Sequence, residues 1–439
     1  MTEVYFCYDT EDFTSNYAAD AILRQGQILR SHGVKGNFDI VGYLARELIR
    51  NRRFDVLDEL KNHTISFHSL RHTYHPTLME YTDREDYAAA AAELARQESE
   101  GMGMVKAATG VDRFAAAMPP GNSLSYVAMY HYADAGIPVY LGSVMETDDR
   151  RNAFFCNALH LGEHFLMEQL FVEDPVYDRD GLLENMAQFD RVVLLNHPNK
   201  VLYEAFWDEL NYQKENKYPM FQWQEPPRRP PEDVAQYYAR LEDLIVTLQG
   251  DPRFTICDMG TLAAQAEANL HGRTVKKADL PTIFAGLTER FSWLSAPTAL
   301  SVADCFLAAK HFLFSEQDYH PGKVHGFLYP PSGVTEEMTL NANEVRELAC
   351  KVDENTFLPP YYMYHGKKFG PADLLFAMLE TAMGAERVTL RPRVQQCDYT
   401  RLPALADIGF RRTWMHADTL ADNVLGDRLR LQAWTIRGE

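Results

Sequence analysis

Over roughly the first 265 residues, short apolar runs alternate with longer stretches whose apolar positions recur at helical spacing. The run Val4-Tyr5-Phe6-Cys7-Tyr8 shows no polar alternation, as expected of a strand covered on both faces, and it delivers Asp9 at its end. Residues 20–32 follow with Ala21, Ile22 and Leu29 on one helical stripe, stopped by Gly33. The pattern then predicts a strand over 34–41, helices over 44–51 and 54–60, a strand over 64–67 and an Ala- and Glu-rich helix over 86–102. Further strands are predicted at 114–117, 139–141, 192–195 and 254–257, and a helix at 232–249. Strands separated by helices build βα units and hence a parallel sheet. Chemically versatile residues follow nearly every strand at its C-terminal end, where (β/α) barrels assemble their sites.

The alternation stops near residue 268, and helical patterns dominate from there. Residues 281–295 read as a joint, so the expected domains are 1–275, a βα unit, and 285–439, mainly helical. In the second, residues 341–354 place Ala342, Val345, Ala349 and Val352 on one stripe, and residues 371–383 do the same with Leu374, Leu375, Met378 and Leu379. Two domains suit a chain of 439 residues that is 46% hydrophobic. A net charge of −19 excludes nucleic acid and anionic membrane surfaces as main partners, because both are bound through basic patches. The six cysteines show no C-x-x-C spacing, as free thiols in a reducing compartment would. With neither a signal-like segment nor a long apolar run, the expected location is cytoplasmic, with no membrane partner.

Candidate chemistry gathers at three strand ends. His68 and His72 stand four apart, a spacing that puts two imidazoles on one face of a helical turn and within reach of one ion. Such a pair is equally the mark of plain core histidines, but the cluster Asp9-Thr10-Glu11-Asp12 ends another strand and supplies carboxylates. Two histidines and one acid make a facial triad with coordination positions left for water. Either Glu11 or Asp12 can be the acid: extended backbone turns Glu11 the same way as Asp9, whereas a tight turn would present Asp12. His197, before Pro198, ends the strand at 192–195 and suits a proton donor; its plain alternative is a capping or core residue. His75 reads as a supporting or loop residue.

In chain order these pieces resemble the polysaccharide deacetylases of carbohydrate esterase family four, the NodB-homology fold, over residues 1–265. The likeness rests on Asp9-Thr10-Glu11-Asp12, on His68-Ser69-Leu70-Arg71-His72 as an H-S/T-x-x-H motif, on Gly36-Asn37-Phe38-Asp39-Ile40-Val41, on Met118-Pro119-Pro120-Gly121 and on Leu194-Leu195-Asn196-His197-Pro198. The resemblance implies an α/β fold, a distorted (β/α) barrel of NodB-homology type with a second, mainly α-helical domain. It implies a metal-dependent hydrolase that removes acetyl groups from N-acetylated or O-acetylated sugars, with a divalent ion, zinc first and cobalt, nickel or manganese as alternatives. Asp9 would be the base and His197 the acid, His68, His72 and Glu11 or Asp12 the metal ligands, and Pro120 and Gly121 would touch substrate.

Two departures qualify it. Met118 stands where the family has an arginine that pairs with the catalytic aspartate, and the family's Asp-Trp motif has only Glu146-Thr147-Asp148-Asp149 as a counterpart. Rival readings are therefore a hydrolase of another non-peptide C–N bond, of cyclic ureide type, and a degenerate barrel that only binds glycans. Residues 335–385 resemble a pseudomurein-binding-type repeat, which implies glycan recognition; the alternative is a helical packing or homo-oligomerising domain.

Overall fold

The computed structural model describes residues 1–142, 151–162, 165–174, 176–406, 415–418, 420 and 424–439, so the segment 146–149 lies outside the described residues. Contacts divide the chain into two compact units, the first formed by 1–144, 160–265 and 409–422, the second by 145–159, 266–408 and 423–439. The first unit is a distorted (β/α) barrel. In chain order the strands to Ile256 are β1 (Thr2–Thr10), β2 (Asn37–Ile40), β3 (Thr64–Phe67), β4 (Ala116–Ala117), β5 (Val139–Leu141), β6 (Ala153–Phe155), β7 (Ala158–Leu161), β8 (Phe165–Leu166), β9 (Arg191–Asn196) and β10 (Phe254–Ile256). The order β5-β4-β3-β2-β1-β9-β8 is parallel throughout. One edge of β1 is shared: Thr2–Val4 pair with β10 and Cys7–Thr10 with β2, a split that departs from an even barrel.

β1 is buried almost end to end, as the unbroken apolar run requires. The helices Ala18–Ser31, Gly42–Arg50, Phe54–Leu60, Tyr87–Thr109 and Pro231–Gly250 fall where the periodicity predicts them, while Tyr126–Asp134 is an addition. β2 is shorter than predicted. The backbone of Gly36 is diverted so that its N–H reaches His63 Nδ1, and Leu29 packs against Gly36 too closely for a side chain there. β4 shrinks to two residues.

The largest correction concerns residues 68–72, which form turns rather than a helix, with Ser69 and His72 at φ 67° and 51°. This loop is pinned by the helix Gly42–Arg50. The N–H groups of Gly42 and Tyr43, orphans at a helix start, donate to the carbonyls of Ser69 and Leu70 at 3.0 and 2.9 Å. Gly101 of the long helix sits against the same loop, where a Cβ would lie 2.7 Å from Leu70 Cα.

The second unit is mainly helical, with Leu280–Glu289, Val302–Phe314, Ala342–Ala349, Pro371–Ala382 and Val424–Leu431. Within residues 281–295, read as a joint, the helix Leu280–Glu289 carries Pro281 in its first turn, where its missing N–H costs nothing. Asn341 caps the helix at 342 by accepting from the N–H groups of Asn343 and Glu344. Two antiparallel pairs accompany them: Met338–Asn341 with Arg387–Leu390, on either side of the helices at 342 and 371, and Tyr362–Tyr364 with Lys367–Phe369, between those helices. Among the described residues no helix is long and apolar enough to cross a membrane.

Gly101→Ala should destabilise the protein by about 1–3 kcal/mol, the usual effect of overpacking. Urea unfolding of the variant checks this. An unchanged midpoint would mean that the loop at Leu70 yields freely.

Candidate functional site

Strand parity builds the site. Residues in register across a parallel sheet share a face, and Asp9 pairs with Asp39 and Asp39 with Ser66. Two residues onward from Asp9 on that face is Glu11, and two onward from Ser66 is His68. Tyr8 pairs with Asn196, so His197 falls on the same side as Asp9. The described mouth of the barrel is a pocket of about 180 Å³ lined by Asp9, Glu11, His72, Met118, Gly121 and His197, among others.

Glu11 Oε2 lies 2.9 Å from His72 Nε2 and 3.9 Å from His68 Nε2. Asp9 Oδ2 lies 3.8 Å from His68 Nε2 and 3.6 Å from His197 Nε2. Each imidazole is held by its other nitrogen. His68 Nδ1 meets the Met118 carbonyl at 2.8 Å, His72 Nδ1 meets Asp208 at 3.2 Å, and His197 Nδ1 meets Glu168 at 2.7 Å. That arrangement frees every Nε2 to point inward, as in sites where an acceptor orients a ligating histidine. His68 Nε2 and Asp9 Oδ1 are buried with no hydrogen-bond partner, which fits a group of donors built for an ion. Glu11, His68 and His72 bring one donor atom each within 4.8 Å of one another.

Of the two acids left open by the sequence, Glu11 joins the histidines. Asp12 turns away to accept from Thr14 N–H, Thr14 Oγ1 and Ser15 N–H, and burial pushes its carboxyl up to about 7. His75 pairs with Glu80 and the Tyr212 carbonyl, outside the cluster. Gly121 lines the pocket together with Pro119, whereas Pro120 is not among the lining residues. His197 occupies the N-cap position of the helix Pro198–Leu202 without a side-chain capping bond.

Burial raises the Asp9 carboxyl against the opposing pull of His68 and His197. Glu11 is held well below its ordinary range because His72 and His68 outweigh burial; the same contact, with Asp208, lifts His72 to about 10. For His197, burial works downward but Glu168 prevails, and the imidazole stays well above its ordinary value. Asp39, buried beside Asp9, is raised well above its ordinary value by burial first and Asp9 second.

Sequence reasoning missed Glu168, Asp208, Trp207 and Met415. Glu168 follows Leu166 of the two-residue β8, too short to show in the apolar pattern, and also receives Asn196 Nδ2 at 2.7 Å. Asp208 accepts from Thr73 Oγ1 at 2.7 Å, and the adjacent Trp207 donates to Glu11 at 3.3 Å. An acid beside a tryptophan was the available signal. Met415 arrives from a remote segment anchored by Thr77 to His416 and by Ala417 N–H to Glu80.

No protein-family model matches the chain, and no curated protein matches it. Similar solved structures include a candidate polysaccharide deacetylase from Mycobacterium smegmatis, 15% identical with a TM-score of 0.40, over 61% of this chain and 90% of that one. A 4-alpha-glucanotransferase from Thermococcus litoralis is 9% identical with a TM-score of 0.41, over 60% of this chain and 40% of that one. A family 4 carbohydrate esterase from Streptomyces lividans, in complex with acetate, is 12% identical with a TM-score of 0.31, over 58% and 91%. At these scores the functional reading rests on the site itself.

Glu168→Gln should lower the pKa of His197 by about 1–3 units, because a carboxylate within bonding distance favours the charged imidazole and an amide does not. NMR titration of the imidazole in metal-free protein reads the shift. An unmoved resonance would deny that Glu168 holds the proton on His197.

Proposed function

We propose that the chain is a metal-dependent hydrolase of NodB-homology type that removes acetyl groups from N-acetylated or O-acetylated sugars. The observation that supports this best is the buried group Glu11, His68 and His72 with an acid and an imidazole, Asp9 and His197, beside it. Glu11, His68 and His72 would hold the ion, and zinc suits two imidazoles and a carboxylate. When bound, it supplies Lewis acidity to the acyl oxygen and makes the attacking water more acidic.

Asp9 accepts the proton of that water, and its raised pKa makes it a stronger base than an exposed aspartate. As the water oxygen bonds to the acyl carbon, charge develops on the acyl oxygen and needs a donor. In the loop 118–121 the Met118 N–H is already bonded to the Phe67 carbonyl and two residues are prolines, which leaves Gly121 N–H. His197, kept charged by Glu168, gives its proton to the sugar nitrogen as the C–N bond breaks, releasing acetate and a free amine. A second reading, hydrolysis of a different non-peptide C–N bond, is favoured by one observation: the buried Met118 lines the pocket where the resemblance calls for arginine.

Asp9→Asn should lower kcat/KM by about 10²–10⁴-fold while the ion stays bound, since the amide keeps the shape but takes no proton. His197→Ala should harm N-acetyl sugars far more than an aryl acetate, whose leaving group needs no proton. Acetate release from a panel of acetylated sugars, with elemental analysis of each variant, tests both. Wild-type protein that binds metal yet releases no acetate from any sugar would overturn the deacetylase reading.

A further inference from the structure

Two groups of potential donors, buried except for the half-buried His197, overlap in this barrel: Glu11, His68 and His72 form one, and Asp9, Glu11 and His197 form the other. The first carries the function proposed above. We propose that the second is also a divalent-cation site, sharing Glu11 with the first, which fills at higher metal concentration and then blocks hydrolysis. The inference rests on the first site being a metal site.

Spacing is the first support. Donors bound at about 2.0–2.1 Å in tetrahedral geometry lie about 3.3 Å from one another, and Asp9 Oδ2 and His197 Nε2 are 3.6 Å apart. Glu11 completes the group with all donor atoms within 4.8 Å. A glutamate has two oxygens, and a shared carboxylate is a common device where two ions lie about 3.5–4 Å apart.

A second, independent support is polar satisfaction. Asp9 is only 4% exposed, yet its Oδ1 has no hydrogen-bond partner. An orphaned carboxylate oxygen in such a place is costly unless something positive visits it. His197 is already oriented for the task, with Nδ1 on Glu168 and Nε2 turned to Asp9. A carboxylate behind a histidine is how ligating imidazoles are held.

Charge supplies the third. Asp9, Glu11, Glu168 and Asp208 surround the three imidazoles, and among the described residues lining the pocket there is no lysine or arginine. Met118 stands where a cation would otherwise face Asp9. One divalent ion offsets two of those four carboxylates and the His197 proton a third; a second ion that displaces this proton offsets all four. Occupation must then silence the enzyme, because it engages the base Asp9 and the Nε2 of His197, the two groups that move protons.

Equilibrium dialysis of metal-free protein against zinc, from sub-stoichiometric into the millimolar range, tests this. Wild type should bind one equivalent tightly and a second more weakly, with acetate release falling as the second fills. His197→Ala should keep the first equivalent and lose the second; His68→Ala should weaken the first. Glu168→Gln, which leaves all ligands in place, should weaken the second about 10–100-fold. Manganese-loaded wild type should give the paramagnetic resonance spectrum of an exchange-coupled pair, a readout that needs neither a variant nor a substrate. Saturation at one equivalent with retained deacetylation would overturn this inference alone, and two equivalents in His197→Ala would misplace the second site. Failure to bind even one equivalent would remove the proposed function along with it.

Discussion

Parity along parallel strands governs this barrel. A strand side chain faces inward or outward according to whether its number is odd or even relative to its neighbours in register, and a slip of one residue would invert the set. Register ties Cys7 to Asn37, Asp9 to Asp39 and Asp39 to Ser66, so the inward row is already polar before the strands end. Asn37 links that row, donating to Asp39 at 2.9 Å and accepting from Ser66 Oγ at 2.6 Å. Glu11, His68 and His197 continue it one step beyond the sheet. The candidate site is thus the end of a polar seam, with apolar residues such as Tyr8 and Phe38 stacked on the other face at 4.8 Å.

Orientation of the imidazoles is the next requirement, and three different acceptors meet it. A backbone carbonyl serves His68 and carboxylates serve His72 and His197. The difference has chemical consequences. A carbonyl fixes which nitrogen carries the proton without adding charge, whereas a carboxylate raises basicity as well. His197, backed by Glu168, is held well above its ordinary value; His68 Nε2 is buried without a hydrogen-bond partner. Burial and the neighbouring Asp9 both raise the Asp39 carboxyl, which disfavours a second negative charge at the same spot.

The loop bearing His72 shows how packing serves position. Its carbonyls cap a helix start, and glycines at 42 and 101 let two helices approach it closely. Met415 adds an apolar wall from a part of the chain far away in sequence, and a Cβ at Gly121 would collide with it. The left-handed φ of 54° at Gly121 asks for glycine as well, so backbone and packing agree there.

The apolar pattern alone determined the parallel sheet, most helices and the strand ends at which Asp9, His68 and His197 stand, because burial and periodicity are local properties of a strand or helix. It also contained the argument for Glu11, since alternation in extended chain is a matter of counting. Local spacing misled at His68 and His72. Four residues apart suggests a helix, but two positive φ values and carbonyls that accept from the N–H groups of a neighbouring helix make a turn, and that depends on contacts with residues 42, 43 and 101. Glu168 and Met415 were beyond reach for the same reason, and the sequence signalled Asp208 only through the tryptophan beside it. Their contribution lies in which imidazole or wall each one meets, distances across 29, 136 and 294 residues of chain that only the tertiary fold brings together.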